Sequence, residues 1–351
     1  MVLLELFLLR RRIAATASYE NYMNKTQRVK VSIMRYSIHF ALSLGITLVF
    51  SAVLGAQLPN SSDPVIRAGL VEKITDKIHV IPDNFVRLVP NIGIIIGDEA
   101  VLVVDTGLGI ENGMKVYDLV SELSGNKKIF VTISHYHPEH SLGVGGFPED
   151  AIFIASRVQS LEMENGKRLK DQFSRQSAIN NQLINNMPYP TPDILYDDGY
   201  AVDLGDLTVQ LTSVGPLHTR GDSIIFIEEE SVLFSGDVMM GGIIPSIDSE
   251  YASFDKWKGA IEKIDKLSPK FIIGSHGDIG DQTLVHKWNL LISTISSALT
   301  EYRSASYSES KAAQQLTLLL NEEFPSWRND RRRMNAAAAS EYREGTSTGE
   351  Q

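Results

Sequence analysis

The chain has 351 residues, 43% hydrophobic and 22% charged, with 26 Gly and 13 Pro, which excludes a disordered, collagen-like or polytopic membrane protein and supplies enough apolar material for one large α/β domain or two smaller ones. It has no cysteine, so disulfides, iron–sulfur clusters, thiol nucleophiles and Cys-based zinc sites are excluded together, and any metal must be held by His, Asp and Glu. The net charge is −10; the first 56 residues hold 7 basic and 2 acidic side chains, and the remainder, with 26 basic and 41 acidic, carries −15, a surface that repels phosphate backbones and argues against a nucleic-acid partner.

From Met23 a basic stretch leads into an apolar run from about Ile38 to Leu54 and then small residues. This is the layout of a secretory signal, with cleavage expected after Ala56. The apolar run is nearly long enough to stay uncleaved as an anchor, through which the chain would associate transiently with a membrane. Residues 1–22 precede that unit and read as an upstream mis-assigned start. The expected organisation is a signal peptide and N-terminal extension over 1–56, a folded domain over 57–327 and a polar, solvated C-terminal tail over 328–351 that includes Arg331-Arg332-Arg333. Export without cysteine fits a bacterial periplasm or secretion.

Short apolar runs follow at Ile78–Ile81, Ile92–Ile96, Ala100–Val104 and Ile129–Ile133. Gly97-Asp98-Glu99 is a hairpin signal that predicts antiparallel pairing of the second and third. Val116, Leu119, Val120 and Leu123 at helical spacing predict a helix from Gly113 to Leu123. Residues 156–186 are polar and helical in pattern, and Met187–Pro192 reads as a stiff loop near the opening of a site. Further strands are expected at Ala151–Ile154, Leu207–Thr212, Ile224–Ile227, Val232–Phe234 and Phe271–Ile273, with a helix near Phe254–Leu267. Hairpins alternating with strand–helix units suggest mixed sheets sandwiched between helices.

Three of the eight histidines fall within six residues, His135-Tyr136-His137-Pro138-Glu139-His140, directly after a strand. Residues at i and i+2 of an extended stretch face one way, so His135 and His137 can grip one cation. Glu139 and His140 enter a turn and can face a second. Packing does not call for three imidazoles beside a carboxylate, whereas metal binding does. His218 and His276 also follow strands, as do Asp105 and Asp237. Five loops thus present His or Asp where an apolar strand gives out, the position at which open sheets place their sites. His39, His79 and His286 stand alone and read as structural. Tyr136 points away from the cation in this register, and Tyr189 is a candidate substrate contact.

The ordered set Asp105, His135-x-His137-x-Glu139-His140, His218, Asp237 and His276 resembles the metallo-β-lactamase superfamily over roughly residues 75–290. The resemblance implies an α/β fold, an αββα sandwich with a metal site at the sheet edge. It implies one zinc on His135, His137 and His218, a second on Glu139, His140 and His276, Asp237 bridging both, and Asp105 behind a ligand. The family usually has Asp where Glu139 stands. The added methylene leaves two readings: Glu139 ligates with an adjusted loop, or it leaves the metal and accepts a proton from the attacking water.

The implied chemistry is hydrolysis of an ester, thioester, lactone or amide in a small-molecule substrate by a hydroxide bridging the zinc ions, whose bound water has its pKa lowered from about 15.7 to ~7. Asp237 sets the chain apart from the family's β-lactamases, which mostly carry Cys or Ser there. Hydroxyacylglutathione hydrolases are expected to need a longer helical tail than residues 277–327 provide. The alternatives are a mononuclear iron dioxygenase of persulfides and a non-catalytic metal-binding module. Two other motifs are dismissed. Val104-Asp105-Thr106-Gly107 lacks the second copy an aspartic protease requires, and Gly107-x-Gly109-x-x-x-Gly113 has the wrong spacing for a dinucleotide loop and reads as the turn into a helix.

Overall fold

A computed structural model describes residues 63–247, 253–329 and 331–347. The expectations for residues 1–56, a signal peptide, an anchor and His39, lie outside the described residues. The chain divides into two units, Met1–Ser61 and Ser62–Gln351, and the described residues all belong to the second. Among them no helix is long and apolar enough to cross a membrane.

The first sheet runs β1 (Glu72–Lys73), β2 (Ile78–Ile81), β3 (Ile92–Ile96), β4 (Ala100–Val104), β5 (Lys128–Thr132), β6 (Ile152–Ser156) and β7 (Ile194–Tyr196) in spatial order. Pairing is antiparallel up to β4 and parallel from β4 to β7. The predicted hairpin is the β3–β4 pair, with Ile96 opposite Val101. The second sheet orders β8 (Gly199–Asp203), β9 (Thr208–Ser213), β10 (Ser223–Ile227), β11 (Val232–Gly236) and β12 (Phe271–Gly274) as β12-β11-β10-β9-β8, with only β11–β12 parallel.

Apolar runs without alternation mark strands covered on both faces. β4 shows the consequence. Leu102 and Val104 join Val209, Leu211, Ile225, Val232 and Phe234 between the sheets. Val101 and Val103 face the other way, onto Val116, Leu119 and Val120 of α1 (Ile110–Ser124). On the far side of the second sheet, Ile224, Phe226, Leu233 and Ile272 pack against Trp257, Ile261 and Ile264 of α6 (Phe254–Leu267) and Trp288, Leu291 and Ile292 of α7 (Gln282–Ser304). The layers are therefore helix, sheet, sheet, helix, as expected. Between them in sequence lie the one-turn α2 (Pro138–Ser141) and the inserted helices α3 (Arg157–Asn165), α4 (Lys167–Ser174) and α5 (Ala178–Ile184).

The expected solvated tail at 328–351 is corrected. After α8 (Glu309–Glu323), residues Arg331–Ser347 form a further helix, α9. Met334, Ala337 and Ala338 lie at helical spacing, are buried, and pack into the cluster that holds Trp257, Trp288 and Leu316. Tyr342 Oη donates to the Tyr307 carbonyl at 2.7 Å. Two of the three core positions are alanines behind an arginine run, so the apolar stripe is faint in the sequence and tertiary packing supplies the helix. With α7, α8 and α9 the C-terminal part is extensively helical, so its size gives no ground against a glutathione thioester.

Candidate metal centre

The candidate residues sit on loops that leave the C-terminal ends of β4, β5, β9, β11 and β12. Backbone bonds lock these loops together across both sheets: Asp105 N to Thr132 O at 3.0 Å, Ser223 N to Ser134 O at 2.9 Å, and Ser275 N to Gly236 O at 3.0 Å. Glycine permits the closest approaches. A Cβ on Gly143 would lie 2.2 Å from the Thr106 carbonyl, and one on Gly113 would lie 1.8 Å from that of Gly143, so the start of α1 and the histidine loop are in backbone contact. Gly107 and Gly109 adopt φ of 88° and 85°, consistent with a turn into a helix.

The side chains converge. One atom each from His135, His137 and His218, from His135, His140 and Asp237, and from Glu139, His140 and His276 forms a group whose members lie within 4.8 Å of one another. The His218 Nε2 stands 3.3 Å from His137 Nδ1 and 3.4 Å from Asp237 Oδ2, and His276 Nε2 is 3.9 Å from Asp237 Oδ1. His135, Glu139, His140, His218 and Asp237 are buried; His137 and His276 are half-buried. His137, Glu139, His218, Asp237 and His276 line the floor of a cavity of about 690 Å³.

The electrostatics follow from this crowding. Burial and the neighbouring imidazoles hold His135 and His137 well below the ordinary histidine range, so both are neutral donors. Burial pulls His140 down too, but the Asp105 carboxylate, with Glu139 and Asp237, outweighs it and brings His140 up to about 9. Burial raises Glu139. Burial would also raise Asp237, but His276 and His218 overcome it and hold that carboxylate ionised well below its usual range.

Among the described residues, four buried polar atoms in this cluster have no hydrogen-bond partner: His135 Nε2, His140 Nε2, Glu139 Oε2 and Asp237 Oδ1. An unsatisfied buried donor or acceptor costs ~1–3 kcal/mol. Imidazole nitrogen and carboxylate oxygen are the donor set divalent zinc takes, and ions bound in the ligand groups would satisfy these atoms, His140 giving up its Nε2 proton on binding. The residues therefore fit a metal.

Behind the cluster, Asp105 adopts φ 63°, a conformation that costs ~1 kcal/mol or more unless its surroundings fix it. They do. Asp105 Oδ1 accepts from Ser134 N at 2.7 Å, and Oδ2 accepts from Ser134 Oγ at 2.9 Å and Ser275 Oγ at 3.2 Å and lies 2.9 Å from His140 Nδ1. With Nδ1–H donating to Asp105, His140 turns Nε2 toward Glu139 and the other ligand candidates. Replacing Asp105 by Asn sets an amide donor among these donors. The expected result is about a 10- to 100-fold loss of metal affinity, measured by competition with a chromogenic chelator.

The profile of the metallo-beta-lactamase superfamily matches residues 86–276. The chain belongs to the metallo-beta-lactamase superfamily. Within it, the chain is similar to human acyl-coenzyme A thioesterase MBLAC2, at 24% identity over 204 residues that cover 52% of this chain and 70% of that protein. It is also similar to metallo-beta-lactamase type 2 of Elizabethkingia meningoseptica, at 21% identity over 272 residues, 74% of this chain and 96% of that one. Among solved structures, a metallo-beta-lactamase from Pontibacter korlensis shares the fold with a TM-score of 0.51 at 20% identity, covering 64% of this chain and 98% of its own.

The superfamily scaffold here also rests on residues outside the histidine and aspartate motifs. Asp222 accepts from Leu217 N, Thr219 N and Thr219 Oγ1 and so shapes the His218 loop, while burial lifts its carboxyl to about 6. Glu162 of α3 accepts from the amides of Arg220 and Gly221, and burial pushes it up to about 7. Asn91 binds the carbonyls of Gly274 and Gly277, and Asp83 accepts from Gly277 N at 3.0 Å and lies 3.8 Å from His276 Nδ1. Asp222 has a signal in the run His218-Thr219-Arg220-Gly221-Asp222; Asp83 and Asn91 carry no motif.

The inserted helices do border the cavity, through Leu169, Gln172 and Phe173 of α4. Tyr189 and residues 188–192 line a separate cleft with Lys167 and Lys170, whereas the lining of the histidine cavity does not include Tyr189. Tyr136 packs with Val131, Phe153 and Tyr189. His79 on β2 and His286 on α7 join none of the ligand groups.

Proposed function

We propose that the chain is a zinc-dependent hydrolase of acyl bonds whose substrate is a thioester of coenzyme A or of a similar thiol. The observation that carries the reading is the set of four buried, unpartnered donor atoms on His135, Glu139, His140 and Asp237, all members of the ligand groups, with Glu139 and Asp237 lining the cavity. His135, His137 and His218 would hold one ion, Glu139, His140 and His276 the other, with Asp237 between the two groups. Bound there, divalent ions supply a water acidified toward neutral pH and polarise the scissile carbonyl.

The chain's own residues position and balance that chemistry. Asp105 and the Ser246 carbonyl, the latter 3.2 Å from His218 Nδ1, hold the imidazoles of His140 and His218 through Nδ1 and leave Nε2 to the ligand groups. Asp237 contributes a fixed negative charge between imidazoles. Glu139 lies with Oε1 4.0 Å from His140 Nε2 while Oε2 is unpartnered; one oxygen serves as ligand and the other can hold a proton. A thioester is favoured over a β-lactam by the thioesterase among the relatives and by Asp237, which the resemblance associates with thioesterases, lactonases and phosphodiesterases rather than with β-lactamases.

The test is metal content coupled to a substrate panel. Two zinc per chain are expected, with turnover of acyl-CoA above that of lactone and β-lactam substrates, loss of turnover on chelation and recovery with zinc. One iron per chain with persulfide-dependent oxygen uptake would replace this reading with the dioxygenase; no turnover of any member by the metallated protein would leave a binding module.

A further inference from the structure

The cavity above the histidines is divided by charge. Its carboxylates, Asp83, Glu139 and Asp237, are all buried at the floor. Its wall carries Arg87, Arg328, Arg332 and Arg333, drawn from two distant stretches of sequence. Arg87 and Arg332 are exposed, and Arg328 lies 3.9 Å from the Asp83 carboxylate. Yet the chain beyond residue 56 carries −15, so four arginines on one cavity run against the charge of the whole.

Fold stability does not account for them. Arg331, Arg332 and Arg333 open α9, with no acidic residue in its first turn, although cations at a helix N-terminus oppose the macrodipole. Two of the four are held in place. Arg328 N donates to the Gly242 carbonyl at 2.8 Å and Arg328 O accepts from Ile244 N at 3.0 Å. Its guanidinium sits 4.9 Å from the Phe85 ring centroid and 3.9 Å from Asp83, and Arg333 Nη1 donates to the Ile244 carbonyl. Guanidinium groups that share one cavity wall, two of them exposed to solvent, are suited to bidentate binding of phosphate.

We propose that Arg87, Arg328 and Arg332 form an anion-recognition rim that takes the phosphate groups of the substrate's leaving thiol. The inference rests on the hydrolase reading above for the reaction at the floor, and it deepens that reading by naming what distinguishes the substrate. Phe85, Leu169, Phe173 and Ile243 line the same cavity and offer apolar surface to an acyl chain. A substrate apolar at one end and polyanionic at the other matches both walls.

The test uses the protein as purified and two thioesters of one acyl group, one on coenzyme A and one on neutral N-acetylcysteamine. In the Arg87→Ala/Arg332→Ala double variant, the ratio of kcat/KM for the anionic over the neutral thioester is expected to fall about tenfold, through KM. Calorimetric binding of adenosine 3′,5′-diphosphate, which has no scissile bond, is expected to weaken about as much, and Arg87→Lys/Arg332→Lys to recover most of it. An unchanged ratio, or diphosphate binding equal to wild type, overturns the proposal. So does equal weakening in the Lys and Ala variants. If no thioester is turned over but diphosphate binding is lost in the Ala variant, the rim stands and the hydrolase reading falls.

Discussion

Asp237→Ala is expected to lower metal-dependent hydrolysis by roughly 10³-fold or more and to reduce bound zinc from two ions per chain to one at most. Asp237 is, among the described residues, the one carboxylate within 4 Å of imidazoles from both groups, with Oδ2 3.4 Å from His218 and Oδ1 3.9 Å from His276. It is buried, and those imidazoles keep it ionised. Removing it withdraws a ligand and the negative charge that offsets two cations, and each ~1.4 kcal/mol lost from the transition state costs tenfold in rate. The loop itself should survive. Val238 is anchored by its carbonyl to Trp257 Nε1 at 3.0 Å, and Ser235 Oγ donates to the Met239 carbonyl at 2.8 Å. Elemental analysis with single-turnover kinetics, and circular dichroism to confirm the fold, would measure the effect. A variant that kept both ions and activity within tenfold of wild type would remove Asp237 from the centre.

The ends of the strands are legible in the sequence because two signals coincide there. Apolar runs such as Ala100–Val104 and Val232–Phe234 mark strands buried on both faces, and a His or Asp directly after such a run stands out against them. The convergence of His135, His218 and His276 then requires only that the runs share one pair of sheets. The supports are illegible for the same reason in reverse. Asn91 reaches carbonyls 183 and 186 residues away, and Glu162 grips amides 58 and 59 residues away. A single polar side chain bonded to a distant backbone has no period and no local partner. β7 and β8 escape the sequence pattern because they are edge strands with mixed exposure, where the apolar run that reveals inner strands is absent. The cationic rim depends on α9, whose packing face is too weakly apolar to be read from the sequence as a core element.

That face supports a second large effect. Met334→Asp is expected to destabilise the protein by ~3–5 kcal/mol, a sizeable part of the ~5–15 kcal/mol typical of a domain. Met334 has 0% exposure and joins Trp257, Trp288, Leu316 and Phe324 in one cluster. The substitution removes its contacts and places a carboxylate among apolar side chains, so the helix must lift off or the aspartate must stay protonated. Asn335, one residue on and exposed, provides the control, since Asn335→Asp should stay within ~0.5 kcal/mol of wild type. Denaturant titration of both variants measures the contrast. Equal stability of the two would mean that the 331–347 helix contributes nothing to the core. The expected loss also has a functional signature, because Arg332 and Arg333 are carried by the same helix: at temperatures where Met334→Asp remains folded, its affinity for adenosine 3′,5′-diphosphate should fall while bound zinc stays at the wild-type level, since none of the seven proposed ligands lies on α9.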